Sequence, residues 1–419
     1  MSLIHCPIGI SVIGSVSPLP VAFRRMAWSN LFAQFSEQMA LAAAPLVAVL
    51  LLAAAPSETG WLQTAQTLPF LLLSIPLGMA VDRASRRALM VGSELLRALS
   101  LSMTVGLLAM SALNLPWLAG LGFVGAIGTV CYNVAAPALV PSLVPRLRLA
   151  DANRWLELAR STAYTAGPAL GGALVSYTGV TAAYVLAAVL SLFAVMTLAG
   201  LSKEQRAEQP KRHPLHDLKE GASFILRHDL LRPMLVTAVF FNTSWFVIQA
   251  IYVAYAVRNL GMSPADVGIT LGIYGGGMLI GALIAPVLAR RVSLGVMIVL
   301  GPISGFSAAV LMLLTLWWPS FWLVALSFFL FGAGPILWVI STMMVRQTVT
   351  PNALLGRVSA FIVTATFGAR PLGAAIGATV ATQFGAGSCL MVATGGFLIQ
   401  LLVITASHVP KLRELPEAA

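Results

Sequence analysis

An all-α protein that crosses a membrane many times is the fold class this sequence predicts, and three observations predict it. The 419 residues are 58% hydrophobic and only 9% charged, too apolar to hydrate the surface of a water-soluble domain. Apolar runs recur from residue 27 almost to the end, each of about 20 residues, enough as a helix to cross a ~30 Å hydrocarbon core. Basic residues collect in the joints on one side of these runs. The short alternating strands of a membrane β-barrel do not occur.

In chain order the runs place twelve spans at 27–52, 61–81, 88–111, 115–138, 155–178, 180–201, 233–258, 264–289, 294–316, 320–345, 356–382 and 386–408. Turn-forming residues mark the joints: Pro56 and Gly60, Asn114 and Pro116, Gly179, Gly261 and Pro264, Pro319, and Gly385 with Gly387. Six spans precede the polar stretch 202–232 and six follow it. The expected organisation is an N-terminal segment 1–23, a six-helix bundle 24–201, a linker 202–232, a second bundle 233–408 and a tail 409–419. The first 22 residues lack signal-peptide order and are expected to be loosely ordered. Within the linker, residues 215–228 alternate apolar and charged positions as a short amphipathic helix would. Its His213, His216 and His228 read as part of a solvated charged segment, not as a metal site.

The formal charge of +11 is an orientation signal and not a nucleic-acid footprint. Of 25 Lys and Arg, Arg97, Arg160 and Arg370 fall inside spans and Arg258 at an opposite end. The rest, including Arg24, Arg25, Arg83, Arg86, Arg87, Arg290, Arg291, Arg346 and Arg357, lie on one side. The positive-inside rule makes that side the cytoplasm of a bacterial-type inner membrane, with both termini there, as an even span count requires. Membrane lipids are the expected partners, their anionic headgroups attracting the basic loops. Cys6, Cys131 and Cys389 show neither disulfide nor zinc spacing.

The halves echo one another. GMAVDRASRR (78–87) corresponds in place to APVLARRVSLG (285–295), and GPALGG (167–172) to RPLGAAIG (370–377). Parallel repeats of this kind enclose a site near the membrane midplane. Gly78, Asp82, Arg83, Arg86 and Arg87 fit the G-x-x-x-D-R-x-x-R-R motif, and from about residue 24 to 408 the chain resembles the major facilitator superfamily. The resemblance implies twelve helices in two pseudo-symmetric six-helix bundles, alternating access, and a gating role for those five residues. Gly167, Pro168, Gly171 and Gly172 resemble the end of the superfamily's antiporter motif and are also expected to act in gating, by close helix packing. Segments 138–161 and 346–360 are similar to the exporter branch that includes enterobactin exporters and macrolide efflux proteins. The fourth span lacks the Arg that many proton-coupled drug antiporters carry, and Ala289 replaces the acid in the second-half loop.

Charged groups inside spans are costly and point to function or to a partner. Glu37, at mid-depth in the first span beside Gln34 and Gln38, can cycle between protonated and ionised forms as a proton-coupling carboxylate or serve in a structural hydrogen bond or salt bridge. Glu94 and Arg97, and likewise Glu157 and Arg160, are three apart and expected to pair along their helices. Arg370 has no acid on its own helix. It can bind an anionic group, pair with Glu37 across the bundles, or bond to carbonyls. Phe241, Asn242, Trp245 and Gln249, with Trp338, Ser341 and Thr342, give a mostly apolar lining suited to amphipathic or aromatic solutes. The substrate cavity expected from the sequence is thus Gln34, Gln38, Asn242, Trp245, Gln249, Trp338 and Arg370.

No nucleotide-binding loop, metal motif or catalytic constellation is present in the sequence. These features predict no enzyme and no cofactor, but a monomeric secondary transporter drawing on the proton gradient. It would export drug-like or siderophore-like small molecules. The alternatives are a metabolite importer or facilitator of the same fold, and a non-transporting membrane sensor or scaffold.

Overall fold

The computed structural model describes residues 20–145, 148–201, 214–351 and 354–416, and within helices it leaves aside the side chains of 74, 75, 78–83, 150, 214 and 215. Expectations for the N-terminal segment before residue 20, for His213 and most of the linker, and for the side chains of Asp82 and Arg83 and the surroundings of Gly78 therefore lie outside the described residues.

Six helices form the first bundle: α1 (Val21–Leu50), α2 (Pro56–Arg83), α3 (Arg86–Ala109), α4 (Leu115–Leu143), α5 (Leu149–Thr178) and α6 (Val180–Ala199). A short helix, α7 (Pro214–Arg227), leads to α8 (Leu231–Arg258), α9 (Pro264–Ala289), α10 (Leu294–Leu314), α11 (Phe321–Val349) and α12 (Leu355–Thr405). α12 is two spans joined end to end. At Gly385 the backbone takes φ 80° and ψ 173°, a left-handed conformation glycine adopts without a Cβ penalty, and the chain turns back there. Among the described residues nine helices are long and apolar enough to cross a membrane. The breaking of α12 adds one crossing, and α2 and α5 complete the twelve.

Local chemistry sets the helix starts. Ser85, Asn114 and Ser293 each accept a hydrogen bond from the backbone N–H three residues on, satisfying donors the first turn leaves free. Ser263 and Asp266 form a reciprocal capping box ahead of α9. Several helices outrun their apolar runs; α1 begins at Val21 and α5 at Leu149, because a helix continues into the interface once its backbone is satisfied. Arg25 and Arg87 close the end of α6, donating to the carbonyls of Gly200 and of Leu198 and Ala199, a favourable place for cations.

In the first bundle α1 packs on α5 and α6, α3 on α4 and α6, and α2 on α4; in the second α8 packs on α12, and α11 on α9 and α10. α7 docks on the second bundle. Arg357 of α12 pairs with Asp217 at 2.9 Å and with Glu220 at 2.5 Å, while Ile225 is buried with Val345, Val349 and Val358. The amphipathic helix read from the linker thus lays its apolar face on protein. The two bundles meet through α5 against α9 and α2 against α12, positions that the six-helix repeat makes equivalent. We call the end where α1 begins the basic end.

Candidate functional site in the central cavity

The bundle interface is tight over the half remote from the basic end. A Cβ added to Gly172 of α5 would lie 2.7 Å from the Cα of Gly268 in α9, and one added to Gly272 would lie 2.7 Å from the Thr165 carbonyl oxygen. Only glycine permits backbones so close. Gly167 and Gly171 face the other way, onto Gln38 and Met39 of α1. The GPALGG segment therefore packs α5 on its own bundle with two glycines and on the opposite bundle with a third. α2 and α12 close similarly at Gly60 and Ala378. Between described residues both cross-bundle hydrogen bonds lie in this half: Thr59 Oγ1 to the Ala250 carbonyl at 2.9 Å, and Arg258 Nη2 to the Ala53 carbonyl at 2.7 Å.

Below this seal lies a cavity of about 570 Å3, within the size range of sites for drug-sized molecules. Its walls come from both bundles, and in the second bundle they descend through Met234 and Arg346 toward the basic end. Glu37 and Gln38 of α1 line it, as do Asn242, Trp245 and Gln249 of α8, Trp338 of α11 and Arg370 of α12. Gln34 does not; it is buried at 7% exposure one turn nearer the basic end. Trp245 contributes mainly to the core, stacked on Tyr274 at 5.1 Å and packed against Phe328 and Phe331. Asn242 donates within its own helix, to the Ala238 carbonyl at 2.9 Å.

The charged residues divide into two kinds. Glu94 and Arg97 are buried, 3.1 Å apart. Arg97 also donates to the Ala33 carbonyl at 2.8 Å, and Ser191 Oγ donates to Glu94 at 2.9 Å. Glu157 and Arg160 pair in two-pronged fashion at 2.9 and 2.5 Å on a more exposed surface. Glu37 and Arg370, in contrast, make no hydrogen bond or ion pair with any described residue, and Arg370 Nε is buried without an acceptor. Of the three roles open to Arg370 in the sequence, neither carbonyl bonding nor a direct pair with Glu37 is present. Its guanidinium instead lies over three rings, 4.0 Å from the Phe367 centroid, 5.5 Å from Phe246 and 5.8 Å from Phe70.

Sequence reasoning missed the contribution of α2. Gln63, Gln66, Thr67 and Phe70 line the cavity, and their i, i+3, i+4, i+7 spacing marks one helix face. Tyr164, Tyr274 and Arg346 were missed too; a polar aromatic residue at mid-span is the signal the two tyrosines offer, while Arg346 reads in the sequence only as one of the basic residues at the span ends.

Comparison with known proteins fits this architecture. A model of the transmembrane secretion effector family, a branch of the major facilitator superfamily, matches residues 13–419. The chain belongs to that family. It is accordingly a multi-pass membrane transporter of the major facilitator fold, not an enzyme. Among curated relatives of this transporter, macrolide efflux protein A of Enterococcus faecalis is 24% identical over 222 residues, 52% of this chain and 68% of that protein. An enterobactin exporter of Escherichia coli is 30% identical over 239 residues, 57% of this chain and only 55% of that protein. The match thus spans little more than half the length of the enterobactin exporter. Among solved structures, a POT family transporter in complex with 5-aminolevulinic acid superposes with a TM-score of 0.77 at 12% identity, covering 96% of this chain and 98% of that one, which speaks to the fold alone.

Proposed function

We propose that this transporter exports a bulky amphipathic small molecule, drug-like or siderophore-like, by alternating access across a bacterial inner membrane, in exchange for protons. The observation that carries the reading is the unpaired Glu37 in the wall of a cavity bounded by both bundles and sealed at one end. A carboxyl held without a partner can lose and regain a proton without breaking an ion pair, and its position between bundles lets each protonation state favour a different arrangement of them. The family membership and the exporters among its relatives support the outward direction.

We place the basic end in the cytoplasm, so that both termini lie there and the arrangement described is inward-facing. The bundles are taken as 24–201 and 233–408 with the linker between. The motif of Gly78, Asp82, Arg83, Arg86 and Arg87 would latch the cytoplasmic ends in the opposite state. In the present one Arg87 is turned to its own bundle, on the end of α6. The Gly167, Pro168, Gly171 and Gly172 segment would act as the outer gate against α9, the Glu94–Arg97 and Glu157–Arg160 pairs would hold helices in register, and the protein would act as a monomer without a cofactor.

The test is transport in proteoliposomes with a panel of fluorescent amphiphiles and catecholate compounds. Accumulation that requires an opposing proton gradient supports proton exchange. Movement indifferent to any gradient makes the protein a facilitator.

A further inference from the structure

The transport reading leaves open what kind of molecule the cavity takes, and the surroundings of Arg370 bear on that. A guanidinium has a planar face and an edge carrying five N–H donors. Here the guanidinium carbon lies over the rings of Phe367, Phe246 and Phe70, which stabilise the cation through the ring quadrupole. A phenyl ring offers no oxygen or nitrogen to accept from the N–H groups. Those donors find no acceptor among the described residues, although Arg370 lies within the span and lines the cavity. Elsewhere in the spans the same side chain has an acid beside it: Arg97, whose Nε is also left over, has a carboxylate and a carbonyl, and Arg160 a carboxylate.

We propose that Arg370 and its phenylalanines form a binding site for an aryl carboxylate. The unpaired guanidinium N–H groups match a carboxylate in fork geometry, and the aromatic surround of Arg370 suits an aryl group beside it. Tyr164 of α5 and Tyr274 of α9, both in the cavity wall, are neutral phenols whose hydroxyls can add donors. The charge balance of the wall agrees. Glu37 is its one acid among the described lining residues, against Arg97, already paired, Arg346, whose Nε is also buried without an acceptor, and Arg370. Because Phe70 belongs to the first bundle and Arg370, Phe246 and Phe367 to the second, a ring held among them spans the interface that alternating access must open and close.

The inference rests on the transport reading only in taking this cavity as the substrate site, so binding is measured apart from transport. The full-length protein in nanodiscs is titrated calorimetrically with three isosteres of different charge: 2-naphthoate, 2-naphthalenemethanol and 2-naphthylmethylammonium. Naphthoate is expected to bind at least about 10-fold tighter than the other two, and Arg370→Gln to lose about 10–100-fold of that affinity, the range for a charge-assisted hydrogen-bonded contact. Arg370→Lys should restore only part, since a point charge lacks the fork. If the glutamine variant does not fold, the wild-type ranking decides alone: equal binding of all three, or preference for the ammonium, overturns the proposal. The two readings fail separately. Proton-driven movement of neutral amphiphiles by a protein that does not select naphthoate removes the anion site and leaves transport standing. Selective naphthoate binding by a protein that moves no solute does the reverse.

Discussion

Two sets of one glutamate and one arginine face the interior of the membrane-spanning helices, Glu94 with Arg97 and Glu37 with Arg370, and they are treated in opposite ways. Glu94 and Arg97 sit on one helix, 3.1 Å apart, buried, with Ser191 and the Ala33 carbonyl taking up further hydrogen-bonding capacity. Glu37 and Arg370 sit in opposite bundles, share one cavity and make no hydrogen bond or ion pair with a described residue. Removing charge from water is costly in both cases. In the first set the cost is offset locally and permanently. In the second it is offset only by the cavity, by aromatic faces around the arginine, and by whatever enters. Two opposite charges that neutralise one another on one helix, even with Glu94 Oε1 and Arg97 Nε left without a hydrogen bond, have little to exchange, whereas two unpaired charges split across a moving interface respond to protons, solute and bundle position together.

The largest effect expected from breaking this contrast is on stability. Arg97→Leu strands Glu94 in the interior and should cost about 3–5 kcal/mol, read as a lowered thermal midpoint in detergent. The double change Glu94→Gln with Arg97→Leu should regain most of the loss, while Arg370→Leu, which strands no paired acid, should cost far less than Arg97→Leu. Equal losses at Arg97 and Arg370 would erase the distinction.

Next in size is the outer seal. Gly172→Val places side-chain atoms where a Cβ alone would already stand 2.7 Å from Gly268, an overpacking of about 1–3 kcal/mol that acts only in the sealed arrangement. It should move the population toward the form open at the far end by at least ~5-fold, measured by spin-label distances across that end. A Gly92→Val control, where a Cβ meets nothing within 4 Å, should leave those distances unchanged.

The smallest effect concerns the junction outside the membrane. His228 Nδ1 accepts from the backbone N–H groups of Leu230 at 3.1 Å and Leu231 at 3.4 Å, and partial burial holds its pKa below the ordinary value, about 6.5 in the unfolded chain. The unfolded state therefore binds more protons as pH falls through that region. The contribution is complete above about pH 6.5 and lost below it. After discount for solvent screening it should be under about 0.5 kcal/mol. Hydrogen exchange at the start of α8 should quicken between pH 7.5 and 5.5, and His228→Gln should abolish the change.

Much of this was legible in the sequence, for a physical reason. Lipid imposes length and apolarity on every span, so all twelve runs stood out, and Gly385 announced the break inside α12 because few other residues accept φ 80°. Pairs such as Glu94–Arg97 followed from helical spacing. What did not follow was anything set by the meeting of the bundles. The polar face of α2, with Gln63, Gln66 and Thr67, lines the cavity, and its spacing along the helix is the trace the cavity leaves in the sequence. Gln34 was expected at the cavity because it neighbours Glu37 in sequence, but the helix turns it into the protein. The phenylalanine surround of Arg370 draws Phe70 from about 300 residues away in the chain, a proximity no local pattern encodes.

The claim that the unpaired glutamate couples protons to solute movement is tested most directly by Glu37→Gln in proteoliposomes, comparing gradient-driven accumulation with solute counterflow. The account predicts that the variant keeps counterflow within about twofold of wild type and loses at least ~10-fold of gradient-driven accumulation. Accumulation against a gradient by Glu37→Gln equal to that of the wild-type protein would contradict it.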